Sequence, residues 1–209
     1  MTDRQVRRGR FIAFEGGEAS GKSTQATLLA DRIDALLTRE PGGTRLGATV
    51  RTLLLDPDDT AMCDRAEALL FAADRAQHVH EVIAPALEAG RHVVTDRFAA
   101  SSFAYQSFGR GLPLAQIEAL SAFAVDGIWP DLTILLVVPP EVAEARLGAL
   151  DRLEGAGDGF HRRVADGFES MAAADPDRWV RIDAAGTIDA VAARVEAAVV
   201  GRLGLEPGR

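Results

Sequence analysis

The sequence predicts an α/β fold, a parallel sheet with helices on both faces. Short apolar runs alternate with longer stretches whose apolar residues recur at helical spacing. One run, Leu132–Val138, is apolar apart from Thr133, as a strand covered on both faces requires. The runs are joined by helix-length segments, and such right-handed crossovers make the strands parallel.

In chain order, Phe11–Glu15 is a first strand, followed by glycines and a helix opening at Lys22. In that helix Leu29, Ile33, Leu36 and Leu37 fall at i, i+4, i+7 and i+8, one helical face. Asp64–Ala89 is rich in Ala and Leu and reads as helix, with Pro85 as a kink and Gly90 as its stop. His92–Thr95 reads as a buried strand and Leu114–Val125 as a helix. Phe160, Val164, Phe168 and Met171 mark another helix, and Trp179–Ile182 a last strand. Ile188, Val191, Val195 and Val199 mark the final helix, with Thr187 as its N-cap. Met1–Gly9 and Gly201–Arg209 are expected to be loose. Ligands of such sheets sit at the carboxyl ends of the strands.

A chain of 209 residues suits one compact domain. With 47% hydrophobic and 26% charged residues it is not a mostly disordered chain. A net charge of −8 argues against a general nucleic-acid or anionic-membrane binder, so an anionic ligand must meet a local positive pocket. Cys63 stands alone, which excludes an intrachain disulfide and a cysteine-based zinc site and fits a reducing compartment. No apolar run approaches the ~20 residues of a membrane span. The charged N-terminus lacks a signal-peptide core. These features predict a cytoplasmic protein.

Gly16-Gly17-Glu18-Ala19-Ser20-Gly21-Lys22-Ser23, followed by Thr24, fits G-x-x-x-x-G-K-[ST]. Glycines let the backbone curl so that several N–H groups point inward. The helix opening at Lys22 turns its positive end to the same point. Lys22 adds a mobile cation for the β- and γ-phosphates, and Ser23 can ligate Mg²⁺. The loop sits between a strand and an amphipathic helix, the context this motif needs, so a nucleoside triphosphate with Mg²⁺ is the expected ligand. Three arginines stand near strand ends or on a covering helix: Arg39 in Thr38–Thr44, Arg75 after Asp74, and Arg97 after Asp96. Their planar forks suit a second phosphate.

The sequence resembles the bacterial thymidylate kinase family. The matching stretches, in family order over nearly the whole chain, are FIAFEGGEASGKST (Phe11–Thr24), TREPGGT (Thr38–Thr44), AEALLFAADRAQH (Ala66–His78) and TDRFAASSFAYQ (Thr95–Gln106), then PDLTILL (Pro130–Leu136), DRLE (Asp151–Glu154) and IDA (Ile182–Ala184). TREPGGT and the DR[YF]…S-x-A-Y-Q block are specific, whereas the glycine loop alone is not. The resemblance implies a three-layer P-loop NTPase fold with a five-stranded parallel sheet, a single kinase domain over residues 1–209, and a short lid at about 146–160. It implies phosphorylation of dTMP to dTDP with ATP, and a homodimer formed through helices beside the sheet.

The resemblance also implies roles. Arg39, Arg75 and Arg97 would hold the dTMP phosphate. Phe71 would stack on thymine, and Glu18 would lie near the sugar 3′-hydroxyl. Ser102, Tyr105 and Gln106 would line the base and deoxyribose, with Tyr105 excluding a ribose 2′-hydroxyl. Asp96 would reach Mg²⁺ directly or through water. The loop Ala184–Gly186 would be near adenine. From residue type alone, Phe71 and Tyr105 read equally as core, Asp74-Arg75 as a solvated helix face, Arg39 as loop decoration, and Glu15 as a buried partner for nearby backbone.

Three positions depart from the family pattern. Phe98 replaces a tyrosine, Val137 an aspartate, and Ala19 stands where some members carry a loop arginine. Members without that arginine supply one from the lid, which here offers Arg146 and Arg152; Arg152 is the expected arginine at the transferring phosphate. Lys22, Arg97 and Arg152 thus form the expected catalytic set. A phosphate monoester acceptor needs no strong base, since its second pKa is about 6, and transfer would rest on alignment and neutralisation of charge. Arg162 and Arg163 read as surface helix charges, and His78, His80, His92 and His161 as surface or packing residues. Alternatives are a related P-loop kinase for another deoxynucleotide or a deoxynucleoside, and a nucleotide-binding regulatory protein.

Overall fold

The structure, a computed structural model, describes residues 8–58, 61–144, 152–153 and 156–206. Five parallel strands, β1 (Phe11–Glu15), β2 (Leu36–Arg39), β3 (Val93–Asp96), β4 (Leu132–Val137) and β5 (Trp179–Asp183), form one sheet in the order β2-β3-β1-β4-β5. The helices are α1 (Lys22–Arg32), α2 (Arg45–Leu55), α3 (Asp64–His78), α4 (Ala84–Glu88), α5 (Ala99–Ser102), α6 (Leu114–Val125), α7 (Pro140–Glu144), α8 (Asp158–Ala174) and α9 (Ile188–Leu203). Two π-helical segments, Val79–Ile83 and Phe103–Gly109, continue α3 and α5.

Alternation along the strands divides the core. Ile12, Phe14, Val94, Leu132, Ile134 and Leu136 face α1 and α9, packing on Leu29, Val191, Val195 and Val199. Phe11, Ala13 and Val93 face the other way, onto Val79, Ile83, Leu87, Phe98 and Val125. Leu135 points the same way into a third cluster, with Tyr105, Phe160, Val164 and Phe168. Covering both faces is what makes the strands read as near-continuous apolar runs.

One expected helix is corrected. Leu36 and Leu37 were expected on the face of Leu29 and Ile33, but α1 ends before them and they begin β2. Asp34 takes a left-handed φ of 50°, which turns the chain out of the helix. As an edge strand β2 is only half buried, so its leucines carry no pattern strong enough to separate strand from helix. The long helix from Asp64 is continuous to Glu88 but contains a π segment just before Pro85, one accommodation for a residue that cannot donate to the ladder. Gly90, with φ 78°, follows its end, and Thr187 caps α9 by accepting from Ala190 N at 3.3 Å. At the termini, Gly9 N donates to Leu87 O at 2.8 Å, and α9 extends through Leu203 to Gly204.

Candidate active site

The glycine loop leaves β1, the middle strand, at the carboxyl end of the sheet. Gly16 has φ 142°, and a Cβ there would come within 2.4 Å of Leu136 O. Ala19 and Gly21 are also left-handed, with φ 54° and 89°. Gly21 precedes α1 with no side-chain cap, which leaves the first-turn N–H groups open to an anion. Lys22 is buried and folded into its own loop, its Nζ donating to Gly17 O at 2.5 Å and to Ser20 Oγ at 3.3 Å. Burial first, then Arg97, pull its pKa down to about 8 against the opposing pull of Glu18 and Asp96.

Beside the loop, β3 ends in Asp96. Its Oδ2 accepts from the Ser23 hydroxyl in a short contact, and its Oδ1 is buried without a partner. Arg97 follows with φ 71°, a left-handed conformation costly for a residue with a side chain. Its Nη1 donates to Gly16 O at 3.2 Å and Ser101 Oγ at 3.3 Å, and its Nη2 to Glu18 Oε1 at 2.8 Å. The guanidinium also lies 5.1 Å from the centre of the Tyr105 ring. Burial would raise the Glu18 pKa, but Arg97, then Lys22 and the Tyr105 hydroxyl, outweigh it and hold it at about 2. Burial drives Tyr105 well above its ordinary value, so it stays a hydroxyl and donates to Glu18.

Glu15 underpins this corner. It accepts from Phe98 N at 2.9 Å, Ser101 N at 3.1 Å and Ser101 Oγ at 2.6 Å. Burial pushes its pKa up to about 7, against Ser101 and Arg97.

TREPGGT and AADRAQH interlock. His78 Nε2 and Thr38 Oγ1 are 2.6 Å apart, and His78 Nδ1 is 2.9 Å from Glu40 Oε1. The carboxylate can only accept, so Nδ1 carries a proton and donates to it. Glu40 Oε2 takes Arg75 Nε at 2.8 Å. A Cβ on Gly43 would lie 2.7 Å from the His78 ring, and one on Gly47 would lie 2.2 Å from Asp74 Oδ1. Those glycines are required by close approach. The peptide Glu40–Pro41 is cis.

A cavity of about 410 Å³ runs from this loop to α3. Lys22, Ser23, Asp96 and Arg97 line one end, Phe71, Gln106 and Leu153 the other, with Arg39, Ser102 and Tyr105 also in its wall. It joins a cationic, amide-rich end to an aromatic end, as a phosphorylated planar ligand requires.

The thymidylate kinase family model matches residues 14–195 of this chain. The chain belongs to the thymidylate kinase family. It is similar to the thymidylate kinase of Synechococcus sp. (strain JA-2-3B'a(2-13)), 53% identical over 93% of this chain and 96% of that protein. It is also similar to that of Cutibacterium acnes, 44% identical over 93% and 98%. The crystal structure of thymidylate kinase from Ehrlichia chaffeensis superposes with TM-score 0.77, 32% identity, and coverage of 92% of this chain and 99% of that one.

Of the residues expected to serve a thymidylate kinase, the structure brings Glu18, Ala19, Gly21, Lys22, Ser23, Thr24, Arg39, Phe71, Asp96, Arg97, Ser102, Tyr105 and Gln106 around one cavity. Gly16, Gly17 and Ser20 shape the loop: Ser20 Oγ donates to Gly17 O at 2.9 Å. Arg75 lies outside the lining. Its guanidinium is 1% exposed and bonded to Glu40, Ser102 Oγ at 3.1 Å and Phe98 O at 3.2 Å. Asp74 is equally buried, so the pair is no solvated helix face. Arg152 is held on Glu67 Oε2 at 2.7 Å and Leu54 O at 2.9 Å. Arg146, Asp151 and Glu154 lie outside the described residues. Glu67, Arg110 and Leu153 went unread in the sequence. Glu67 stands inside the quoted block AEALLF, and a lone carboxylate on the apolar flank of a helix was the available signal.

Proposed function

We propose that this protein transfers the γ-phosphoryl group of ATP to the phosphate of dTMP, giving dTDP, with Mg²⁺ bound between Ser23 and Asp96. The observation that carries this reading is the shared cavity, with Lys22 and an uncapped helix N-terminus at one end and Phe71 with Gln106 at the other. The triphosphate would take the place of Lys22 inside its loop, turning Nζ from Gly17 O to the β/γ oxygens. Arg97 would stand between the two phosphates, and Arg39 would join it on the acceptor. Glu18 would accept from the sugar 3′-hydroxyl, and Phe71 would stack on the base.

The residues present fit Mg²⁺. The orphaned Asp96 Oδ1 beside the Ser23 hydroxyl supplies hard oxygen donors. Among the described residues no cluster of three or more His, Cys, Asp or Glu competes, in keeping with an ion that takes one or two protein ligands plus phosphates and water. When bound, the ion would neutralise phosphate charge and orient its oxygens. An acceptor phosphate ionised at neutral pH needs no proton removed. A deoxynucleoside hydroxyl would need a base, and Glu18, held at about 2, is a poor one.

A homodimer is supported by exposed leucines and a phenylalanine on adjacent helices: Leu46 and Leu53 on α2, Leu69 on α3, and Phe123, 85% exposed, on α6. Such an apolar surface favours association. Among the described residues no helix is long and apolar enough to cross a membrane. A cytoplasmic site of action is part of the same reading.

A coupled assay with ATP, Mg²⁺ and a panel of dTMP, dUMP, dCMP, AMP and thymidine tests this. dTDP formation from dTMP, lost on chelation of Mg²⁺ and weakened in Asp96→Asn at limiting Mg²⁺, is the expected result. Preference for thymidine would replace it with a nucleoside kinase.

A further inference from the structure

Glu67 lies on α3 one turn before Phe71, 1% exposed, and gathers three side chains from two other parts of the chain. Its Oε1 accepts from Gln106 Nε2 at 3.0 Å and Arg110 Nε at 3.3 Å, and its Oε2 from Arg110 Nη2 at 3.0 Å and Arg152 Nη1 at 2.7 Å. Leu153, next to Arg152, packs with Val50, Leu54 and Phe71 and lines the cavity. Burial would raise the Glu67 pKa, but Arg110, then Gln106 and Arg152, hold it below the usual range.

We propose that Glu67 is a positioning residue for acceptor recognition: it sets which end of the Gln106 carboxamide faces the base, and it latches Leu153 onto the cavity through Arg152. A carboxylate can only accept, so the Gln106 amino group must turn to Glu67. One of its two N–H donors is spent on Glu67, and the carbonyl oxygen is the end turned away from Glu67, toward the cavity that Gln106 lines. That oxygen pairs with the N3–H of thymine and faces a bare lone pair on the N3 of cytosine. Buried polar groups left unpaired by the wrong ligand give strong discrimination. The same anion draws in Arg152, which places Leu153 over the acceptor end. Arg152 thereby serves as a latch for Leu153, a role distinct from contact with the transferring phosphate.

This rests on the dTMP reading, and wild-type enzyme making no dTDP would overturn that reading itself. With active wild type, Glu67→Gln is the first test. A neutral amide can donate, so Gln106 is released to flip. The kcat/KM preference for dTMP over dCMP is expected to fall at least tenfold and KM for dTMP to rise, with KM for ATP unchanged. Glu67→Asp, which keeps the charge, is expected to retain the base preference. An unchanged preference in folded Glu67→Gln would overturn the orienting role. Arg152→Ala, needing no change in the core, tests the latch even if the glutamine variant does not fold. A raised KM for dTMP with kcat within a few-fold supports it; a kcat loss of a hundredfold at unchanged KM for dTMP would overturn it.

Discussion

Arg97 Nη2 lies 2.8 Å from Glu18 Oε1, and the Tyr105 hydroxyl donates to that same oxygen. The phosphate loop thus carries an anion locked onto the arginine that follows β3, so the loop is tied to the end of that strand and to the Tyr105 segment.

With its pKa held at about 2, Glu18 is fully ionised at neutral pH. Hydrogen bonds to charged groups are worth about 1.5–3 kcal/mol. The wild type is therefore expected to favour dTMP over its 3′-deoxy analogue by roughly 10–100-fold in kcat/KM. Glu18→Gln, which keeps an oxygen but loses the charge, should lower that ratio about tenfold. Comparing the two acceptors in both proteins decides it; equal ratios would take Glu18 away from the 3′-hydroxyl.

Burial and Arg97 disfavour the Lys22 charge and pull its pKa down to about 8. Its ammonium is present below that pH and lost above it. The kcat/KM for ATP should therefore fall above about pH 8, tending toward about tenfold per unit. In Lys22→Arg, whose guanidinium stays charged, that limb should vanish even if activity is low. A limb at the same pH in the variant would assign it to another group.

Burial pushes the Glu15 pKa up to about 7 in the fold, against an ordinary glutamate value of about 4.5. The folded state holds its proton longer, so between those values stability falls as pH rises, and the penalty is complete above about 7. At roughly 1.4 kcal/mol per unit the cost reaches about 3 kcal/mol. Glu15→Gln keeps an acceptor for Phe98 N and Ser101 N but cannot ionise. Urea unfolding of both proteins at pH 5 and pH 8 should show the variant gaining on the wild type at the higher pH. A constant difference would mean Glu15 does not titrate in that window.

Legibility in the sequence followed the physics of each element. Leu132–Val137, Leu114–Val125 and α9 with its Thr187 cap were readable because burial on both faces, helical period and capping leave strong local marks. The edge strand Leu36–Arg39 was not, since half-exposed residues leave a pattern that a helix also satisfies. The stretch Ala99–Gly109 escaped a structural reading as well, because a short α-helix running into a π segment has no single period. At the site, the glycine loop could be read from spacing alone. Arg75 and Arg152 could be recognised as charges in motifs, but their ion partners Glu40 and Glu67 lie 35 and 85 positions away, visible only once the chain has folded.

The absence of a side chain at Gly43 has a reach well beyond its own turn. His78 fills that space with both ring nitrogens taken, and through Glu40 it shares an anion with Arg75, whose guanidinium reaches the Ser102 hydroxyl. A methyl group introduced there would push the ring outward and hand the disturbance along this chain of contacts to the wall that meets the acceptor. A lesion of this kind would surface as poor handling of one substrate with the other untouched, and a genetic screen would map it to a glycine outside the cavity lining.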